Sequence, residues 1–262
     1  MASGNFLRTL RISLMVYLLL FVAAGAWLAR ARSTDWDETL YVGVYPINGD
    51  GSDVSVTYID GLELRDFADI ERFVKREADR YGIAAAEPVR IELGEQIFEL
   101  PPTPPADRNI PGVMTWSLKL RYWAWRKQGQ QPGPDPDVRV YMVFHDPEQN
   151  PKLAHSLGLQ KGLIGVVNAF ASRRMAGSNN IVLAHELLHT LGASDKYDPG
   201  TSLPLHPEGY AEPNRKPLHP QSQAEIMGGR IPKSQMEAVT PRNLKNVVVG
   251  PLTAAEIRWA GN

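Results

Sequence analysis

The chain has 262 residues, of which 43% are hydrophobic, and its formal net charge is −1. This length and composition are typical of a globular protein that can bury a sizeable core. The balanced charge, without any Lys/Arg-rich block, argues against nucleic acid as a partner, and the lack of cysteine excludes a thiol nucleophile and disulfide bonds.

A short tail, 1–11, is followed by an apolar stretch at 12–29 that carries no charge. As a helix, this stretch would extend about 27 Å, close to the ~30 Å hydrocarbon core of a bilayer, so it predicts one transmembrane anchor. A cleaved signal peptide is the alternative, because the triplets at 24–26 and 29–31 resemble cleavage sites. We favour the anchor because the run is longer than a signal h-region of ~7–15 residues. The signal-like layout predicts a single-pass membrane protein with an extracytoplasmic domain.

A polar linker, 30–38, is predicted to lead into a single domain, 39–262. Alternating apolar residues between turn residues predict its strands. These strands cover 39–47, 53–59 as a continuation or second strand, 88–93, 138–145 and 162–170. Apolar residues at helical spacing predict helices over 66–81 and 116–128.

The stretch HELLHTLGASDKYD, residues 185–198, predicts a metal site on a helix that begins near residue 179. His185 and His189 are four residues apart and therefore share one face of that helix. Glu186 would lie beside the pair, where its carboxylate can accept a proton from metal-bound water. Two histidines leave a tetrahedral zinc ion one protein ligand short, if its fourth position stays open for water.

Asp195 is the favoured third ligand, although it could not reach the metal from a continued helix. Six residues past His189, it would be rotated about 240° away from the metal-binding face. Gly192 allows the chain to reverse there, because glycine adopts the left-handed conformation that commonly ends helices. Other candidates in the following loop are Asp198, His206, Glu208, Glu212 and His219.

Together these residues match the pattern HExxHxxGxx(H/D), and the stretch resembles the metzincin clan of zinc peptidases. The matching positions are His185, Glu186, His189, Gly192 and Asp195. An aspartate with a tyrosine two residues later, as in Asp195 and Tyr197, is similar to the snapalysin and immune-inhibitor-A peptidases.

A second element, EIMGG, is similar to the metzincin Met-turn and contains Met227. The resemblance implies that this methionine packs beneath the metal ligands, a role that suits a flexible thioether. The serralysin and astacin peptidases place a tyrosine two residues after this methionine, where this chain has Gly229. Tyr197 is therefore the candidate to stabilise an oxyanion, although its phenol could equally be packed in the core.

The resemblance implies an α+β fold behind the transmembrane helix. Its parts would be a twisted mixed sheet, the active-site helix, an irregular lower subdomain that includes 199–226, and a C-terminal helix over 252–261. A capping box, Thr253 with Glu256, would begin that last helix. The strand over 163–169 would form the rim of the cleft and bind substrate backbone through Gly165, Val166 and Val167. The alternative is an internal strand without a free edge.

The function that the resemblance implies is a membrane-anchored, zinc-dependent endopeptidase that hydrolyses a protein or peptide substrate. Zinc would be held by His185, His189 and Asp195, with Glu186 as general base. One alternative is a membrane-anchored binding or assembly protein with a structural or vestigial zinc site. Another is a zinc amidase that acts on cell-wall peptides. Either narrow substrate specificity or a regulatory partner is expected, because no inhibitory segment is recognisable before the domain.

Overall fold

The computed structural model describes residues 8, 10–17, 20, 34–105, 109–160 and 162–260. After residue 34 its helices are α1 (Asp53–Asp60), α2 (Ala68–Arg80), α3 (Ile110–Gln128), α4 (Ala176–Leu191) and α5 (Pro251–Glu256). Its longer strands are β1 (Leu40–Asn48), β2 (Val89–Leu93), β3 (Val138–His145), β4 (Leu157–Leu159) and β5 (Ile164–Phe170). Two-residue strands come next, namely β6 (Ala224–Glu225), β7 (Ile231–Pro232), β8 (Ala238–Val239) and β9 (Val247–Val248). Single 3-10 turns cover Leu64–Phe67, Arg173–Met175 and Leu244–Asn246.

The five longer strands form one sheet in the order β2-β1-β3-β5-β4. The first four are parallel to one another, and β4 runs antiparallel to β5. β1 and β3 are almost entirely buried. Their long apolar runs result from this position, because helices cover both faces of the sheet and each strand needs apolar side chains on both sides.

Two apolar clusters, one on each face of the sheet, form the core. On one face, α2 and α4 pack against strand residues that include Val42, Val44, Val140, Met142 and Val167. On the other face, α3 packs through Trp116, Leu120 and Trp123 onto Tyr45, Tyr141 and Val166. The Trp123 and Tyr141 rings meet edge to face, with their centroids 4.7 Å apart. The metal-binding motif on α4 and the helix α3 therefore lie on opposite sides of the sheet.

The predicted fold class, α+β behind a membrane-spanning helix at 12–29, is wrong. The fold is mixed α/β, because β2, β1, β3 and β5 are parallel to one another and helices connect β1 to β2 and β2 to β3. In the part of the chain that the structure describes, no helix is long and apolar enough to cross a membrane. Except for 12–17 and Leu20, the stretch 12–29 lies outside the described residues.

The described part of the predicted linker, 34–38, packs against the domain. Trp36 is buried, and its indole N–H donates to the carbonyl oxygen of Ile257 over 2.8 Å. Its ring lies 5.3 Å from the ring of Trp259, measured between centroids. This segment is therefore tied to the far end of the chain by an aromatic contact.

The segment 53–59, predicted as a strand, is instead part of helix α1. Ser52 caps the helix, because its hydroxyl accepts a hydrogen bond from the backbone N–H of Ser55. Only Ser55 and Ile59 are buried, and their spacing of four residues is helical. The alternating Val54, Val56 and Tyr58 misled the prediction because neither valine faces the core.

The C-terminal helix is shorter than predicted and its predicted capping box does not form. α5 begins after Gly250 and ends at Glu256. Thr253 is buried and donates its hydroxyl to Glu225 Oε1 over 2.7 Å. Glu256 is used in a different contact, with the loop after α4.

We predict that Gly158→Ala destabilises the fold, because β4 and α4 approach closely at this position. A Cβ atom on Gly158 would lie 2.4 Å from the carbonyl oxygen of Glu186 and 2.7 Å from Cβ of His189. The backbone would have to shift, at a cost of about 1–3 kcal/mol in the free energy of unfolding. Urea denaturation measures this cost. Gly129→Ala is the control, since a Cβ there meets nothing within 4 Å, and equal effects of the two substitutions would contradict the prediction.

Candidate metal centre

Helix α4 carries both histidines of the motif and ends immediately after them. Gly192 has φ +111°, in the left-handed region that glycine adopts without a steric penalty. The N–H of Gly192 donates to the carbonyl of His189, and the N–H of Ala193 donates to that of Leu188. These two hydrogen bonds form a Schellman motif. They turn the chain back so that the following residues approach the histidines.

Asp195 is brought to both imidazoles by this turn. Its Oδ1 atom lies 3.1 Å from Nε2 of His185 and 3.1 Å from Nε2 of His189. The three potential ligand atoms lie within 4.8 Å of one another, and they form the one such His/Cys/Asp/Glu group found among the described residues. The sequence-predicted ligand set therefore converges on a single point.

The other nitrogen of each imidazole is held by a backbone carbonyl. Nδ1–H of His185 donates to the oxygen of Ile226 over 2.9 Å. Nδ1–H of His189 donates to the oxygen of Ala193 over 2.8 Å. With one proton held on Nδ1, loss of the proton that Nε2 shares with Asp195 would free the Nε2 lone pair for a metal, which is the usual arrangement around metal-binding histidines.

The charges at the site shift the pKa of two of these groups. Burial alone would raise the pKa of Asp195, but hydrogen bonds from both imidazoles hold it well below its ordinary value. Burial alone would lower the pKa of His185, but Asp195, Glu186 and the Ile226 carbonyl outweigh burial and raise it. The carboxylate of Asp195 is therefore charged at neutral pH and available as an anionic ligand.

Glu186 lies beside the histidines with its carboxyl group buried. It is 6% exposed, and among the described residues Oε2 has no hydrogen-bond partner. Burial raises the pKa of Glu186, while His185 and His189 oppose the rise. A buried carboxylate oxygen without a partner is costly to maintain, and such groups often have a chemical role.

Tyr197 lies at the same site, with its ring centroid 6.4 Å from that of His185. Burial raises the pKa of its phenol, and the charges of Asp195 and Glu186 raise it further. The phenol therefore stays protonated at neutral pH and can donate a hydrogen bond.

Met227 is fully buried in the apolar cluster that includes α4. It lies in a tight turn, where the N–H groups of Gly228 and Gly229 both donate to the carbonyl of Glu225. Two backbone carbonyls of this turn contact the candidate centre and the loop that carries Asp195. The carbonyl of Met227 accepts from the N–H of Lys196, and the carbonyl of Ile226 accepts from His185.

Glu225 supports the Met227 turn and was not singled out in the sequence. Its buried carboxylate accepts hydrogen bonds from the N–H groups of Gly228 and Gly250 and from the hydroxyl of Thr253. Burial raises its pKa, and these hydrogen bonds act against the rise. The Met227 turn is thus fixed to α5. No signal in the sequence distinguished this glutamate from an exposed one.

Of the predicted substrate-binding residues Gly165, Val166 and Val167, the first two do not form a free edge, and a role of the three in substrate binding stays a prediction. They lie in β5, which is paired with β3 on one side. Gly165 and Val166 are also paired with β4 on the other side. The short β4 is the outermost strand, next to α4. Its three residues, Leu157–Leu159, are too few to have given a clear alternating pattern in the sequence.

The alternative third ligands have other partners in the lower loop. His206 contacts the carbonyl of Pro213, and His219 contacts the hydroxyl of Tyr210. Asp198 accepts backbone hydrogen bonds from Gly200 and Thr201, while Glu212 pairs with Ser222 and Arg215. Glu208 is exposed.

A cavity of about 370 Å³ opens beside the candidate centre. His185, Glu186 and Tyr197 line one part of it. Its other walls contain His155 and no Asp, Glu, Lys or Arg, with apolar side chains such as Phe170, Ile181 and Val182 and polar ones such as Ser156, Ser178 and Thr240. A larger hollow of about 700 Å³ lies between α2 and β2, away from these residues, and is lined mainly by charged side chains of the surface.

Lys196 and Glu256 hold the loop that carries Asp195. Glu256 accepts hydrogen bonds from the N–H of Ser194 and from its hydroxyl, over 3.0 and 2.5 Å. The Lys196 ammonium, whose side chain is 3% exposed, donates to Glu256 Oε2 over 2.7 Å and to the carbonyl of Ser194 over 2.9 Å. Residues on both sides of Asp195 are therefore fixed by one carboxylate of α5.

No protein-family model matches the chain, and a search of curated proteins finds no match.

We predict that Glu256→Gln lowers the free energy of unfolding by about 2 kcal/mol. The substitution leaves the buried Lys196 ammonium without its anion and weakens two hydrogen bonds from Ser194. Urea denaturation compares it with Glu208→Gln, a change of the same kind at an exposed position. Equal stabilities of the two variants would show that Glu256 does not hold this loop.

Proposed function

We propose that this chain is a zinc-dependent endopeptidase, of the metzincin type that its motif resembles, acting on a protein or peptide substrate. One observation carries the proposal. Two imidazole Nε2 atoms and one carboxylate oxygen converge next to a buried glutamate whose Oε2 atom has no hydrogen-bond partner among the described residues. A site with only a structural role has no use for that glutamate.

The donor set fits a zinc ion. Two neutral imidazoles and one carboxylate are usual zinc ligands, and three protein ligands leave a position open for chemistry. His185 and His189 each have the Nδ1 hydrogen bond that orients a metal-binding ring. The charged Asp195 carboxylate would complete the set. When bound, zinc would supply a Lewis acid that polarises the scissile carbonyl and makes water acidic enough to react near neutral pH.

Glu186 would be the general base and then the general acid. Its Oε2 atom would take a proton from the attacking water and pass it to the leaving amide nitrogen. Burial raises the pKa of Glu186 towards the working range of such a group, because proton transfer in both directions is easiest when the pKa lies near the ambient pH. Glu186 lines the cavity, where a bound substrate would be able to reach it.

Tyr197 would stabilise the negative charge that develops on the carbonyl oxygen. Its phenol keeps its proton at neutral pH because burial and two nearby carboxylates raise its pKa. A protonated phenol is a hydrogen-bond donor, and donors aimed at a developing oxyanion lower the barrier of acyl transfer.

The substrate would lie along β4 instead of β5. β4 is the outermost strand of the sheet, and Gly158 brings it into contact with the backbone of Glu186 and with His189. An extended peptide can pair with such an edge. Apart from Glu186, the adjoining cavity is lined by no Asp, Glu, Lys or Arg, which favours an uncharged substrate side chain away from the candidate centre.

We predict that Glu186→Gln retains zinc but loses peptide hydrolysis. The amide removes the proton acceptor, at an expected loss of about 10²–10⁴-fold in kcat, and leaves the ligand atoms in place. Metal content and cleavage of a mixed peptide library measure the two effects. Glu208→Gln serves as the control and should cleave like the wild type. Hydrolysis at the wild-type rate by zinc-loaded Glu186→Gln protein would rule out this mechanism.

A second prediction concerns Asp195→Ala, which should weaken zinc binding by at least about 100-fold. The substitution removes one of three ligands, and loss of even a supporting residue commonly costs 10–100-fold. Competition with a chelator gives the dissociation constant. Unchanged affinity in a folded variant would mean that another residue is the third ligand.

Zinc binding without hydrolysis in the wild-type protein would favour a structural zinc site, and cleavage of cell-wall peptides alone would favour the amidase.

A further inference from the structure

Helix α3 has two apolar faces, of which the core uses only one. Trp116, Leu120, Trp123 and Ala124 are buried against the sheet. A second set of large apolar side chains, each between 61% and 76% exposed, consists of Ile110, Met114, Leu118, Tyr122 and Trp125. We call this second set the outer stripe.

The outer stripe is continuous along the helix. Its members are spaced four, four, four and three residues apart, which places them within about 120° of the helix circumference. The stripe faces away from the sheet, because the buried residues of α3 lie on the opposite side. Soluble proteins rarely leave so many large apolar side chains together in water without a binding role.

The charge of α3 indicates what kind of partner covers the outer stripe. The helix contains Lys119, Arg121, Arg126 and Lys127 and no acidic residue, although the whole chain has a net charge of −1. Lys119 and Arg126 are exposed and lie along one border of the stripe. The partner should therefore be apolar inside and negatively charged at its surface.

A second copy of the chain fits this charge poorly. A symmetric contact through the outer stripe would bring together the exposed cations beside it, Lys119 and Arg126, of two copies. The stripe also offers no groove for an extended peptide, because the outer face of a helix is convex. An anionic lipid surface fits both features, since Leu, Met and Ile can enter the acyl boundary, Tyr and Trp favour the interface, and Lys and Arg meet the headgroups.

We infer that α3 is an interfacial helix that docks this domain on an anionic lipid surface through the outer stripe. The helix would lie in the plane of the bilayer surface without crossing it. Because α3 and the metal-binding helix α4 cover opposite faces of the sheet, docking would leave the candidate centre turned towards the solvent.

The lack of cysteine in the chain makes a site-specific test simple. A nitroxide spin label is attached to the full chain at Leu118→Cys. The accessibility of this label to oxygen and to a water-soluble nickel complex is then measured in the presence of vesicles. On phosphatidylcholine vesicles that contain phosphatidylglycerol, the ratio of oxygen to nickel accessibility should rise several-fold. On pure phosphatidylcholine or at high salt, the rise should shrink, because the attraction between cations and anionic headgroups is lost. Tyr122→Cys repeats the measurement at a second position of the stripe.

Matched variants separate docking through α3 from attachment elsewhere. A label at Met236→Cys, which is 84% exposed in the lower region, should stay in water on the same vesicles. Lys119→Glu with Arg126→Glu should lower the immersion of the label at residue 118. Lys216→Glu with Lys245→Glu, an equal change of charge at exposed positions, should not.

Two outcomes would overturn the inference. The label at residue 118 could stay in water although the chain sediments with the vesicles, which would mean that another segment attaches it. Labels at residue 118 could also broaden each other's spectra without lipid, which would identify a second copy as the occupant of the stripe.

Discussion

The reversal of the chain at Gly192 is the constraint on which the candidate centre depends. Helix α4 alone would present two histidines and no third ligand, because a continued helix would carry Asp195 away from the metal-binding face. The left-handed residue ends the helix and its two Schellman hydrogen bonds fix the direction of the exit. Other contacts then hold the loop after Gly192, above all Glu256 on one side and the backbone of the Met227 turn on the other.

Much of the site could be predicted because its determinants are local. The spacing of His185 and His189 on a helix, and the need for glycine at a left-handed position, result from backbone geometry alone. The predicted helix over 66–81 and the strands over 39–47 and 138–145 also correspond to α2, β1 and β3, since their apolar periods are long and regular. In these segments the local pattern and the tertiary packing agree.

The errors occurred where the deciding contact is distant in the sequence. Glu256 matches a capping box, yet it binds Ser194 and Lys196 about sixty residues earlier. Gly165 and Val166 were assigned to a cleft rim because β4, which covers them, has only three residues. The membrane-spanning helix at 12–29 was predicted from apolar composition alone, and composition does not determine which structure a segment adopts. Partners across the fold could not be read from one stretch of sequence.

The ion pair between Lys196 and Glu256 also has a consequence for the order of folding. Both histidines belong to a single helix, and helices form within about a microsecond once their chain segment is present. The Asp195 loop gains the support of Glu256 only when α5 docks, a contact that spans 60 residues and requires closure of a long loop. Formation of one helix therefore aligns the two imidazoles, whereas the position of the carboxylate also depends on contacts between distant parts of the chain.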